Sequence, residues 1–173
     1  MKGREKAAAR ERIDKHTNIS CYFVVPQSLA RLLIHLVFST KDRAPALADE
    51  ALRRDLHAYL AATACNLNCP AIHVGGVADH VHVVCCLART VSLATLVAKL
   101  KISSSHMLKI KSGSRVRWQN GYGAFSVSES ALQSVTEYVA NQSLHHRQRS
   151  FQDEYRAFLR LCRLEYDERY VWD

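Results

Sequence analysis

The run Asp79-His80-Val81-His82-Val83-Val84 carries the sharpest chemical pattern in the chain. On a β-strand, residues two apart point to the same side. His80 and His82 then stand side by side on one face, with Val81 and Val83 turned to the other. Two imidazoles on one rigid strand make half of a metal site without any loop rearrangement. Such a pair alone more often means two half-buried histidines, each with a hydrogen-bond partner. A second pattern lies in Glu137-Tyr138-Val139-Ala140-Asn141-Gln142. Tyr138 and Gln142 are four residues apart and share a helix face. They flank an apolar stripe of Leu132, Val135 and Val139. A tyrosine in that place ordinarily packs with a wet hydroxyl, and a glutamine ordinarily faces solvent.

The elements that must position these residues are legible from periodicity. Leu32–Ser39 is an apolar, β-branched run of strand length, closed by the loop Lys41-Asp42-Arg43-Ala44-Pro45. Asp49 is placed to cap a helix in which Leu52, Leu56, Tyr59, Leu60 and Thr63 keep helical spacing, and Asn66–Pro70 stops it. Ala71–Val77 and His80–Leu87 read as two strands joined tightly through Ala78-Asp79. Ser92 caps a second helix with an inner stripe of Leu93, Leu96, Val97 and Leu100. A fourth strand with an irregular middle is expected over Arg115–Val127, a third helix over Glu129–Arg147 and a fourth over Gln152–Leu164. The order β-α-β-β-α-β followed by helices predicts an α+β fold: a ferredoxin-like, RRM-like split βαβ unit. Its antiparallel sheet would carry helices on one face, with a C-terminal tyrosine-bearing helix.

The chain has 173 residues, enough for one domain over 26–173 with an extension at 1–25. The first 17 residues are dense in Lys, Arg and Glu, as in a solvated helix or a disordered arm. No apolar run of about 18 residues predicts a membrane span, and no secretory signal is evident, so a cytoplasmic protein is expected. Net charge is +8 and the isoelectric point about 9.4, which favours polyanionic partners, nucleic acid above all. The six cysteines, at 21, 65, 69, 85, 86 and 162, do not form two pairs with zinc-site spacing. Reduced, structural thiols are expected.

A His-x-His strand followed tens of residues later by a Tyr-x3-Gln helix resembles the HUH nucleases, and most closely the single-tyrosine transposases of the insertion sequence 200/605 type. The resemblance runs from about Pro26 past Asn141. It includes His35-Leu36-Val37-Phe38-Ser39-Thr40-Lys41, Leu100-Lys101-Ile102-Ser103-Ser104-Ser105, Trp118-Gln119-Asn120-Gly121-Tyr122 and the block Ser126–Gln142. It implies that Tyr138 is the nucleophile and that His80, His82 and Gln142 hold Mg²⁺ or Mn²⁺. It further implies that single-stranded DNA with hairpin ends is cleaved and rejoined through a 5′-phosphotyrosine. The same resemblance implies a homodimer in which the tyrosine helix acts in trans.

Tyr122, Tyr155, Tyr166 and Tyr170 lack a glutamine four residues on within the expected helix. Arg43, Lys99, Lys101, Lys109, Arg115, Arg117, Arg147 and Arg149 are candidate phosphate contacts, each as readily a solvated charge. Trp118 or Tyr122 could stack on an unpaired base, although Trp118 better suits the core. His145-His146 is expected to favour the helix dipole rather than to bind metal. Competing readings are a domesticated, non-catalytic single-stranded-DNA-binding protein of the same fold, a metal-dependent hydrolase using water, an RNA-binding ferredoxin-like module, and a replication-initiator or relaxase nickase.

Overall fold

Alternation of large apolar residues along two strands decides the layering. In the computed structural model, which describes residues 29–113, 116–146 and 150–172, β1 (Leu32–Ser39) pairs antiparallel with β3 (His80–Leu87). That register sets Leu36 opposite Val83 and Phe38 opposite Val81 on one face. On the other face Val37 sits opposite His82 and Ser39 opposite His80. The first face is wholly apolar. It packs on α1 (Glu50–Asn66) through Leu56, Leu60 and Ala64, and on α2 (Leu93–Ser112) through Leu96, Val97, Leu100 and Leu108.

β2 (Ala71–Gly76) and the short β4 (Gly123–Ser126) complete the sheet, in the order β2-β3-β1-β4 with every pairing antiparallel. This is the split βαβ arrangement predicted from the sequence. The second face is covered by α3 (Leu132–Ala140) and α5 (Phe151–Leu161), the latter through Phe151, Tyr155 and Leu159 against Val37 and Phe125. Helices therefore lie on both faces: the two crossover helices on one, the C-terminal helices on the other. The chain divides into residues 1–30 and residues 31–173, and all described elements belong to the second unit. The expected extension, residues 1–25, lies outside the described residues, as does Cys21.

Local chemistry explains the element ends. The Asp49 carboxylate accepts from the Ala51 and Leu52 amides, at 2.8 and 3.1 Å, satisfying donors that have no partner inside the helix. Ser92 does the same for Thr95. Gly113 ends α2 at φ 68°, a left-handed cap that suits glycine.

Two expectations are corrected. The fourth strand is only Gly123–Ser126, because residues 116–122 pair with the sheet backbone through a single bridge, Thr40 to Trp118. The helix expected over Glu129–Arg147 is three pieces: a 3-10 turn at Glu129–Ala131, then α3, then α4 (Gln142–His145). The break falls at Asn141 (φ −98°, ψ 19°), whose side-chain amide donates to the Glu137 carbonyl at 2.8 Å. An asparagine that bonds its own backbone in this way competes with helix propagation.

Candidate metal and tyrosine site

β3 delivers His80 and His82 to the sheet face opposite the apolar core, and both rings are fully buried. His80 is aimed by its neighbour: its Nδ1 lies 2.7 Å from Asp79 Oδ1, and Arg43 holds the Asp79 Oδ2 at 3.2 Å. Burial pushes the Asp79 pKa up, but the hydrogen bond and charge of His80, then Arg43, outweigh it and hold the carboxyl below its usual value. His80 Nε2 consequently faces Gln142 Oε1 at 3.4 Å and Glu154 Oε2 at 3.9 Å. A carboxylate behind a histidine is the usual way a ligating imidazole is oriented.

His82 is aimed by a second histidine. Its Nδ1 lies 2.9 Å from His35 Nε2 in a stacked pair, while its Nε2 is buried without a hydrogen-bond partner. Burial lowers His35 to about 4. Burial also holds His82 well below its ordinary value, helped by the charges of His80, His35 and His146 and opposed by Gln142. Neutral imidazoles with one nitrogen occupied and the other bare are in the state that binds metal.

Gln142, at the start of α4, is buried. Its Nε2 donates to Glu154 Oε1 at 3.0 Å, which turns the amide oxygen toward His80. Glu154, from α5, also reaches His146, with Oε2 2.9 Å from Nε2. The ligand atoms of His80, His146 and Glu154 all lie within 4.8 Å of one another. Burial, then the Asp79 charge, raises Glu154 to about 8. A cation placed there favours the ionised carboxylate instead. The His80 and His146 imidazoles and the Glu154 carboxylate make a mixed nitrogen and oxygen donor set whose chemistry is compatible with a divalent metal.

Tyr138 lies on the same face. Its ring centroid is 5.9 Å from His82, 6.4 Å from His35 and 5.0 Å from His145. Its hydroxyl is buried without a hydrogen-bond partner, beside a cavity of about 420 Å³ that Tyr138, His145, His146, Glu154 and Phe158 line. One close approach seats this helix. A Cβ on Gly75 of β2 would fall 2.4 Å from the Val139 carbonyl oxygen, so only glycine lets α3 rest on the strand there.

The structure thus brings together all four residues singled out for chemistry, within one chain. Two more members were missed: His146, assigned to the helix dipole, and Glu154. The signal for Glu154 was present. It interrupts the buried stripe Phe151, Tyr155 and Leu159 of an otherwise amphipathic helix, and a carboxylate in such a stripe needs a partner.

The basic candidates are spread more widely. Lys99, Lys109 and Arg117 are exposed and Arg43 is half-buried against Asp79. Lys101 spends its donors on the carbonyls of Gln119, Asn120 and Gly121. Arg115, Arg147 and Arg149 lie outside the described residues. Trp118 is a core residue, its indole N–H donating to Ser104 at 2.9 Å.

Residues 28–142, two thirds of the chain, match the family described as "Transposase IS200 like". The chain belongs to the IS200-like transposase family. It is thereby a DNA transposase, and the family's match ends on Gln142. The fold agrees with two solved transposase structures. A Deinococcus radiodurans R1 protein assigned as a transposase superposes with a TM-score of 0.55 at 22% identity, over 68% of this chain and 95% of that one. A REP-associated tyrosine transposase bound to a REP hairpin gives 0.51 at 10% identity, over 70% of this chain and 73% of that one. No protein of curated function matches the chain. No helix among the described residues is long and apolar enough to cross a membrane.

Proposed function

We propose that this IS200-like transposase cleaves and rejoins single-stranded DNA with Tyr138 as nucleophile, beside a divalent metal held by His80, His82 and Gln142. The observation that carries the reading is a pair of buried polar atoms without hydrogen-bond partners, His82 Nε2 and the Tyr138 hydroxyl, on rings whose centroids lie 5.9 Å apart. Buried polar atoms are nearly always paired, and two adjacent exceptions of complementary chemistry call for a ligand. Glu154 and His146 extend the donor set. Mg²⁺ or Mn²⁺, when bound, would polarise the scissile phosphate as a Lewis acid.

The chain's own residues then divide the work. Asp79 and His35 fix the two imidazoles, and Glu154 fixes the Gln142 amide. A phenol of ordinary pKa near 10 is mostly protonated at neutrality, so the Tyr138 proton must leave as the oxygen attacks phosphorus. His145, whose ring centroid is 5.0 Å from that of Tyr138 on the same cavity, is the candidate to receive it. The bond from phosphorus to the O3′ of the upstream nucleotide breaks and that oxygen takes up a proton, leaving a 5′-phosphotyrosine and a 3′-hydroxyl. Attack by another 3′-hydroxyl reverses the step and conserves the bond energy. Exposed cations, among them Lys99, Lys109 and Arg117, would contact phosphates, and hairpin ends would direct the protein to its sites.

Proximity of Tyr138 to the histidines of its own chain supports attack in cis. A homodimer with exchanged tyrosine helices, as the resemblance implies, is the competing assembly. Labelled single strands from the gene's own flanks, incubated with Mn²⁺, should be cleaved by the wild type and not by Tyr138→Phe or His82→Ala. Mixing those two inactive variants separates the assemblies: no recovery means attack in cis, and recovered cleavage means exchange. Cleavage by Tyr138→Phe would end the tyrosine reading.

A further inference from the structure

On the apolar-core side of the sheet, α2 and residues 116–122 enclose an open groove of about 790 Å³ that the tyrosine site does not use. Lys101, His106, Lys109 and Arg117 line it, and no described lining residue is a carboxylate. The floor is apolar, with Val97, Val116 and Trp118 beneath and Ile102 standing 69% exposed at the lip. Cations around an apolar floor suit a ligand with negative charge along its length and flat apolar faces between the charges. Unpaired nucleic acid has that chemistry.

The far end of the groove leads toward the metal site. Gln119 and Tyr122 line the groove and also a small cleft shared with Ser39, Arg43 and Phe151. The Phe151 ring lies 4.5 Å from that of His80, and Arg43 binds Asp79. Tyr122 is 39% exposed, and Lys101 lies 5.6 Å from its ring centre while bonding the three preceding carbonyls. That lysine pins the loop that carries the ring.

We propose that this groove binds an unpaired DNA segment flanking the cleaved phosphate, with phosphates at Lys109 and Arg117 and a base stacked on Tyr122. The proposal rests on the reading of the chain as a DNA-cleaving enzyme, and it adds where the strand runs.

The test is fluorescence anisotropy of a labelled single-stranded oligothymidine with the full chain in chelator, across a range of salt. Lys109→Gln with Arg117→Gln should raise Kd about tenfold near 0.1 M salt and lower the salt slope by about 1.4, roughly 0.7 for each lost phosphate contact. Tyr122→Leu should raise Kd roughly tenfold by loss of stacking. Melting temperatures monitor folding, and the doubly substituted chain changes only exposed side chains. An unchanged Kd and slope in that variant overturns the proposal. So does equal weakening toward polyglutamate, which would make the groove a general polyanion surface. Cleavage at saturating protein keeps the two readings apart. Groove-dependent binding without any wild-type cleavage sinks the enzymatic reading and leaves the groove, whereas cleavage with groove-independent binding does the reverse.

Discussion

Gly75→Ala tests whether the seating of α3 on β2 sets the position of the nucleophile. The added Cβ would sit 2.4 Å from the Val139 carbonyl oxygen and 2.8 Å from Val139 Cγ1. Ordinary contact begins near 3.4 Å, so α3 must move off the strand by about 1 Å. The oxygen belongs to the backbone and cannot swing aside. Tyr138 precedes Val139 and moves with it. A misplacement of about 1 Å at a reacting group can cost roughly 100-fold in rate. Overpacking of this kind also costs about 1–3 kcal/mol of stability. The assay is single-turnover cleavage of a labelled strand, below the melting temperature of the variant. Gly113→Ala is the control: its Cβ meets nothing within 4 Å, so it should lose only about 1 kcal/mol through its positive φ and keep its cleavage rate. A Gly75→Ala chain cleaving as fast as the wild type would refute the argument.

Three further outcomes are expected. Mn²⁺ should raise the melting temperature of the wild type by binding only the folded state, and should do much less for His80→Ala with His82→Ala; equal shifts would place the metal elsewhere. Burial lowers Lys101 from 10.5 to about 8, so the unfolded chain binds more protons between those values and stability should rise as pH climbs from about 8 to 10.5. Urea midpoints across that range should show the rise flattened in Lys101→Met, and identical pH slopes would contradict it. Trp118→Phe removes the buried hydrogen bond to Ser104 and should cost about 1–3 kcal/mol by urea denaturation; a neutral effect would mean that Ser104 finds another partner.

The sheet and its crossover helices were legible because their signals are local. Alternation in Leu32–Ser39 and His80–Leu87 set the faces, and Asp49 and Ser92 set the helix starts. The same alternation put His80 and His82 on one side. The C-terminal third was less legible. Asn141 breaks the helix through a side-chain bond whose competition with propagation helical spacing does not reveal, and residues 116–122 have strand-like composition but pair only at Trp118. His146 and Glu154 reach the site because α5 folds back across the sheet, a long-range event with no local periodicity. Gly75 gave no sign either, since its role depends on Val139, more than 60 residues further along the chain.

The most direct test of the central claim maps the covalent bond. The wild-type chain would be incubated with single-stranded DNA and Mn²⁺, denatured, digested with nuclease and protease, and analysed by mass spectrometry. A nucleotide attached through phosphate to the peptide containing Tyr138, and absent when chelator is added, is the predicted result. Cleaved DNA with no adduct, or an adduct on Tyr155 or another tyrosine, would contradict it.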